Sequence, residues 1–141
     1  MAVCLPDALE HRIRRHAENC YPNEACGLLT GHRDGELITV TDVHESENVT
    51  DADPKTGFEI DPKLRFDLMR ALEAAKDGTE IVGHYHSHPD HPAEPSATDL
   101  SMTYETDFVW LICSVTEAGT TQLNAFKPRE DRSRFEPLEL R

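Results

Sequence analysis

The sequence predicts an α/β fold, a mixed β-sheet flanked by about three helices. Three observations carry the prediction. Segments with helical spacing alternate with short β-branched or apolar runs along the chain, the pattern of a sheet covered by helices. The run Phe108-Val-Trp-Leu-Ile-Cys-Ser-Val115 is apolar at almost every position, as a strand buried on both faces requires. Asp61-Pro62 opens a strongly patterned helix between two strand segments, with Asp as cap and Pro at the first helical position.

The first helix is expected from about Pro6 to Cys20. Leu9, Ile13, His16 and Ala17 form one stripe, and Tyr21-Pro22 stops it. Glu24-Ala-Cys-Gly-Leu-Leu-Thr-Gly31 reads as a strand. Asp34-Gly35 turns it into a partner from Leu37 to Val43. His44 to Gly57 is polar and reads as a loop, and Phe58–Ile60 as a short strand. The second helix carries Leu64, Leu68, Leu72 and Ala75 and closes at Asp77-Gly78, with the glycine in the left-handed position. Glu80 to His88 follows as a strand. If Phe58–Ile60 joined the same sheet, these elements would form a βαβ unit with a right-handed crossover.

Pro89 to Pro95 holds three prolines in seven residues and reads as a loop. A helix start at Ser96-Ala-Thr-Asp99 is expected to run to about Tyr104. After the central strand, Ala118-Gly119 turns the chain into Thr121–Lys127. A last strand near Phe135–Leu140 contains Pro137 and is expected at a sheet edge, because proline donates no ladder bond. With 141 residues and no linker, repeat or low-complexity segment, residues 1–141 read as one domain.

Acids number 27 against 14 bases, a formal net charge of −13. Phosphate neutralisation needs a surplus of Lys and Arg, so neither nucleic acid nor an anionic membrane is an expected partner. No stretch approaches the roughly 20 apolar residues of a membrane span, and Met1 to Arg15 has no apolar run of signal-peptide length. Cys4, Cys20, Cys26 and Cys113 form no C-x-x-C pair. A cytoplasmic protein with reduced thiols is the expectation.

The chemistry gathers between Gly83 and Asp99. His86 and His88, two apart on a strand, share one face with Cα atoms roughly 6.5–7 Å apart, so two imidazoles can converge on a divalent ion. His84 shares that face and reads as a packed histidine. Ser96-x-x-Asp99 fits a capping box, and Asp99 in the first helical turn could also project as a third ligand. His86-Ser-His88-Pro-Asp90-His91 fits H-x-H-x-D-H, a pattern resembling metallo-β-lactamases. That fold needs a ligand histidine well downstream, and none follows His91. Pro89 and Pro92 are expected to turn the loop with Asp90 and His91 away from the ion. Glu24, taken locally, reads as an exposed carboxylate after the Pro22-Asn23 turn.

Taken together, His86-Ser-His88-Pro89, six residues, then Ser96-x-x-Asp99 resembles the signature of the JAMM (MPN-plus) zinc metallopeptidases. Glu24-Ala-Cys-Gly-Leu-Leu-Thr-Gly31 is similar to that family's early glutamate strand, and Asn48 … Phe58-Glu-Ile-Asp-Pro62 to the stretch before its second helix. The resemblance covers residues 7 to 127. It implies an MPN domain with an architecture like the cytidine deaminases. It also implies Zn2+ held by His86, His88 and Asp99, Glu24 as general base and Ser96 as a donor to the oxyanion. The chain lacks room for the insertions that grip a second ubiquitin. It resembles instead the short prokaryotic members, whose substrates are small ubiquitin-like sulfur carriers ending in Gly-Gly. A non-catalytic scaffold of the same fold is the alternative, although such scaffolds typically lose ligands or the glutamate.

Overall fold

The computed structural model describes residues 1–141. The elements are β1 (Ala2–Cys4), α1 (Asp7–Cys20), β2 (Cys26–Asp34), β3 (Leu37–Ser46), α2 (Pro62–Ala75), β4 (Glu80–Pro89), α3 (Ala97–Ser101), β5 (Val109–Thr116), β6 (Gly119–Pro128) and β7 (Phe135–Leu140). The sheet is mixed: β2 pairs antiparallel with β3 and β4, β4 parallel with β5, and β5–β6–β7 antiparallel. No helix is long and apolar enough to cross a membrane.

β1 was not expected. It pairs parallel with both β3 and β7, so the order β1-β3-β2-β4-β5-β6-β7 returns on itself. β7 therefore does not lie at an open edge. The Glu139 and Arg141 N–H groups donate to β1. Pro137 has the same parity but lies before the first residue of β1 in this parallel pairing, so its missing donor breaks no bond.

α1 buries Ile13, His16 and Ala17 against a core that includes Leu29, Val43, Tyr85, Leu111 and Cys113. α2 buries no residue, and Phe66 and Met69 on it are more than half exposed. Asp61 caps α2 by accepting from Lys63 N–H, as expected. The left-handed residue that ends it is Lys76, with Gly78 completing the turn at φ 84°.

Phe58–Ile60 is not a strand of the sheet, and no βαβ unit forms there. Ile60 makes one isolated bridge with Asn48. The Asn48 side chain holds the segment instead, accepting from Glu59 N–H and donating to Gly57 O. α3 is shorter than expected. Met102 N–H and the Thr103 hydroxyl bond to Asp99 O and Leu100 O, which tightens the last turn and ends the helix.

β4 lies between β2 and β5, and this position fixes the site. His86 is opposite Cys26 on one side and Ile112 on the other. Gly83 permits the close approach of β5, since a Cβ there would sit 2.1 Å from Val109 O.

Candidate metal centre and catalytic cleft

The two histidines project from one face of β4, and Asp99 comes from the first turn of α3. All three are buried. His86 Nε2 and His88 Nε2 are 3.0 Å apart. Asp99 Oδ2 lies 3.1 Å from His88 Nε2, and Oδ1 lies 3.3 Å from His86 Nε2. Ligands held at zinc–nitrogen distances are roughly 3.3–3.4 Å apart at tetrahedral angles, so the set has the size of one metal's coordination shell. His86, His88 and Asp99 are together the group that could hold an ion.

The hydrogen-bond partners sharpen this. His88 Nδ1 is 2.9 Å from Pro92 O. A carbonyl only accepts, so Nδ1 carries the proton. The Nε2 lone pair of a neutral His88 then faces a carboxylate and a second imidazole. His86 Nδ1 has no partner to fix its tautomer, so His86 Nε2 meets the His88 lone pair and the Asp99 carboxylate as an N–H donor, or as a third acceptor where a cation sits between them. Backbone orientation of the outer nitrogen is how metal-binding histidines are commonly fixed.

Titration behaviour follows the same geometry. Burial pulls His88 down, but its bonds to Asp99 and the Pro92 carbonyl outweigh that and raise it above its ordinary value. Burial also lowers His86, against the pull of Asp99. Burial acts upward on Asp99, yet hydrogen bonds from His86, His88 and Ser96 N–H hold it well below the usual carboxylate range.

Asp99 and Ser96 form the expected capping box: Ser96 N–H donates to Asp99 Oδ2 at 2.9 Å, and Asp99 N–H to Ser96 Oγ at 3.0 Å. Capping and metal binding thus use the same carboxylate without conflict. Ser96 is exposed, and because its oxygen accepts in the cap, its own proton is free to donate.

Glu24 corrects its local reading. It is 5% exposed, not a surface carboxylate. It precedes β2 and is fixed by backbone bonds: its N–H donates to Pro54 O and its carbonyl accepts from Asn48 Nδ2. Ala25 is tied both ways to Ser87, whose Oγ accepts from Ala25 N–H at 2.8 Å and whose N–H donates to Ala25 O. Glu24 lines a cleft of about 370 Å³ with Thr56, His88, His91, Ser96 and Thr98. Burial pushes it up to about 8; the charge of His88 opposes that and the charge of Asp99 adds to it. Its Oε1 and the Nδ1 atoms of His84 and His86 are buried without a hydrogen-bond partner.

The structure brings Glu24, His86, His88, Ser96 and Asp99 together. Asp90 is held away, accepting from the Tyr21 hydroxyl at 2.9 Å. His91 stands outside the group that could hold a metal, although it lines the cleft and its N–H bonds back to His88 O. His84 is packed against Phe58, Phe108 and Trp110. Sequence reasoning missed three supports: Ser87, the Pro92 carbonyl, and Phe58, which stacks on His86 at 4.4 Å. Ser87 lay inside the motif, but its hidden partner is a backbone amide more than sixty residues away.

Residues 6–128 match the family described as prokaryotic homologs of the JAB domain. The chain belongs to that family. The short prokaryotic JAMM type expected from the motif is thereby established. Over 114 residues the chain is 39% identical to a protein of Haloferax volcanii named desampylase, covering 81% of this chain and 78% of that one. It is 26% identical over 129 residues to a Mycobacterium bovis protein named CysO-cysteine peptidase, covering 89% and 82%. A solution structure from Desulfitobacterium hafniense superposes with a TM-score of 0.83 at 29% identity, covering all of this chain and 92% of that one. The second of these sequence relatives is thus named as a peptidase.

Proposed function

We propose that this protein is a zinc-dependent peptidase or isopeptidase that hydrolyses an amide bond after the C-terminal Gly-Gly of a small ubiquitin-like or sulfur-carrier protein. One observation carries the reading. His86 Nε2, His88 Nε2 and the Asp99 carboxylate converge within 3.3 Å with the His88 tautomer set by Pro92 O, and a buried carboxylate lines the same cleft. Three protein ligands leave a fourth position open, as catalytic zinc sites do and structural ones do not.

His86, His88 and Asp99 would hold the ion. Zinc bound there would supply an activated water and a Lewis acid for the scissile carbonyl. The rest is the work of the chain. Glu24 takes a proton from the attacking water and passes it to the leaving amine nitrogen. Its burial keeps it from titrating as a surface carboxylate. The Ser96 hydroxyl donates to the carbonyl oxygen as negative charge develops. Phe58, stacked on His86, and the packed cleft walls limit water around the ligands. The names of the relatives, desampylase and CysO-cysteine peptidase, support a peptidase reading.

The test is incubation of the zinc-loaded protein with Gly-Gly-ended carriers that bear a C-terminal extension, read by mass spectrometry. Cleavage directly after the second glycine is expected. Stoichiometric zinc with no cleavage of any carrier would favour the non-catalytic scaffold instead.

A further inference from the structure

The cleft that holds Glu24 and His88 opens sideways. A larger trough of about 740 Å³ runs from Ser96 along α3 and across β6 and β7. Glu94, Pro95 and Ser96 line both depressions, so the two adjoin at these residues. Their chemistry differs. Apart from its prolines, the cleft presents charged and polar side chains. The trough presents Leu100, Phe126, Phe135 and Leu138, each half-buried, with Asn124 and Arg134 beside them.

Position decides which part of a substrate reaches it. The trough begins at Ser96, whose N–H lies 2.9 Å from the Asp99 oxygen that faces His88. It therefore starts next to the scissile bond, not several residues away. On the carrier side the two nearest residues are glycines, which have no side chain to fill an apolar trough and suit the narrow polar cleft. The first side chain able to enter belongs to the other side of the bond. We propose that the trough is the leaving-group subsite, selecting an amine that carries an aliphatic or aromatic side chain, or the four-carbon stem of a lysine. This rests on the Gly-Gly hydrolase reading above and adds the identity of the leaving side.

The experiment uses the zinc-loaded protein and carriers ending Gly-Gly-X-Gly-Ser, with X as Leu, Phe, Gly or Asp. Leu and Phe are expected to exceed Gly in kcat/KM by about tenfold or more, the discrimination usual for apolar pockets, with Asp lowest. Phe126→Ser and Leu138→Ser should each bring Leu close to Gly while the Gly substrate is cut at the parent rate. A binding readout is independent of turnover. Amide resonances of Leu100, Phe126 and Leu138 should move on titration with Leu-Gly-Ser-amide and not with Asp-Gly-Ser-amide. Equal cleavage across the series, or both variants slowing every substrate alike, overturns this inference and leaves the hydrolase intact. Failure to cut any member, with or without peptide binding, overturns the hydrolase reading and the leaving-group assignment with it.

Discussion

β4 presents two opposite environments only one residue apart. On one side Tyr85 enters the core and its hydroxyl meets His16 Nδ1 at 2.7 Å. The ring lies so close over Gly27 that a Cβ there would sit 2.4 Å from it. The polar atoms of this pair are matched within the fold. On the other side His84, His86 and nearby Glu24 each keep a buried atom without a partner. Burying polar groups unpaired is costly, and of these groups Glu24 lines the cleft. The difference separates His16, satisfied by a core tyrosine, from His86 and His88, whose Nε2 atoms meet each other and Asp99.

That contrast can be broken from either side, and the largest effect is expected on the metal face. His88→Ala removes one of three ligands. Metal analysis should find zinc falling from one per chain toward none, with hydrolysis lost and far-UV circular dichroism unchanged. Full occupancy in this variant would end the assignment of the centre. On the core face, Ile13→Ala empties a site that is 1% exposed. A loss of about 2–5 kcal/mol in denaturant unfolding is expected, with zinc content unaltered.

Tyr85→Phe sharpens the comparison further. It strands the buried His16 nitrogen and should cost about 1–3 kcal/mol. Zinc affinity should stay within error, although Tyr85 sits directly between His84 and His86 in sequence. A loss of zinc with little change in stability would mean the two faces are not independent. The smallest effect is expected on α2. Phe66→Ser changes a side chain that is 58% exposed, and unfolding should shift by no more than about 0.5 kcal/mol.

Most of the metal face was legible in sequence because it is encoded locally. The alternation of a strand puts His86 and His88 on one side, and a helix start puts Asp99 three residues after Ser96. These are short-range rules, and they survive folding. Asp61 as a cap and the buried run of β5 were legible for the same reason. What escaped depends on distant partners. β1 is three residues long, too short for any periodicity, and exists because β3 and β7 offer it unpaired backbone. Phe58 looked like a strand residue and is held out of the sheet by Asn48. Glu24 looked exposed because nothing in its own segment reports Pro54, Asn48 or Ser87, the three residues that fix its setting. Only the family resemblance singled it out. His91 stands outside the metal-binding group, yet it lines the cleft, which the two flanking prolines do not report.

In the proposed mechanism His86, His88 and Asp99 hold the metal while Glu24 moves the proton. Glu24→Gln tests that division of labour most directly, because the amide keeps the shape and abolishes the base. Zinc content, melting temperature and cleavage of a Gly-Gly-ended carrier would be measured on the parent and the variant together. The account predicts one zinc per chain and an unchanged or slightly higher melting temperature, with turnover reduced by about 10²–10⁴. Near-parental turnover with zinc retained would place the base elsewhere, and loss of zinc along with activity would make Glu24 a ligand, contradicting the account.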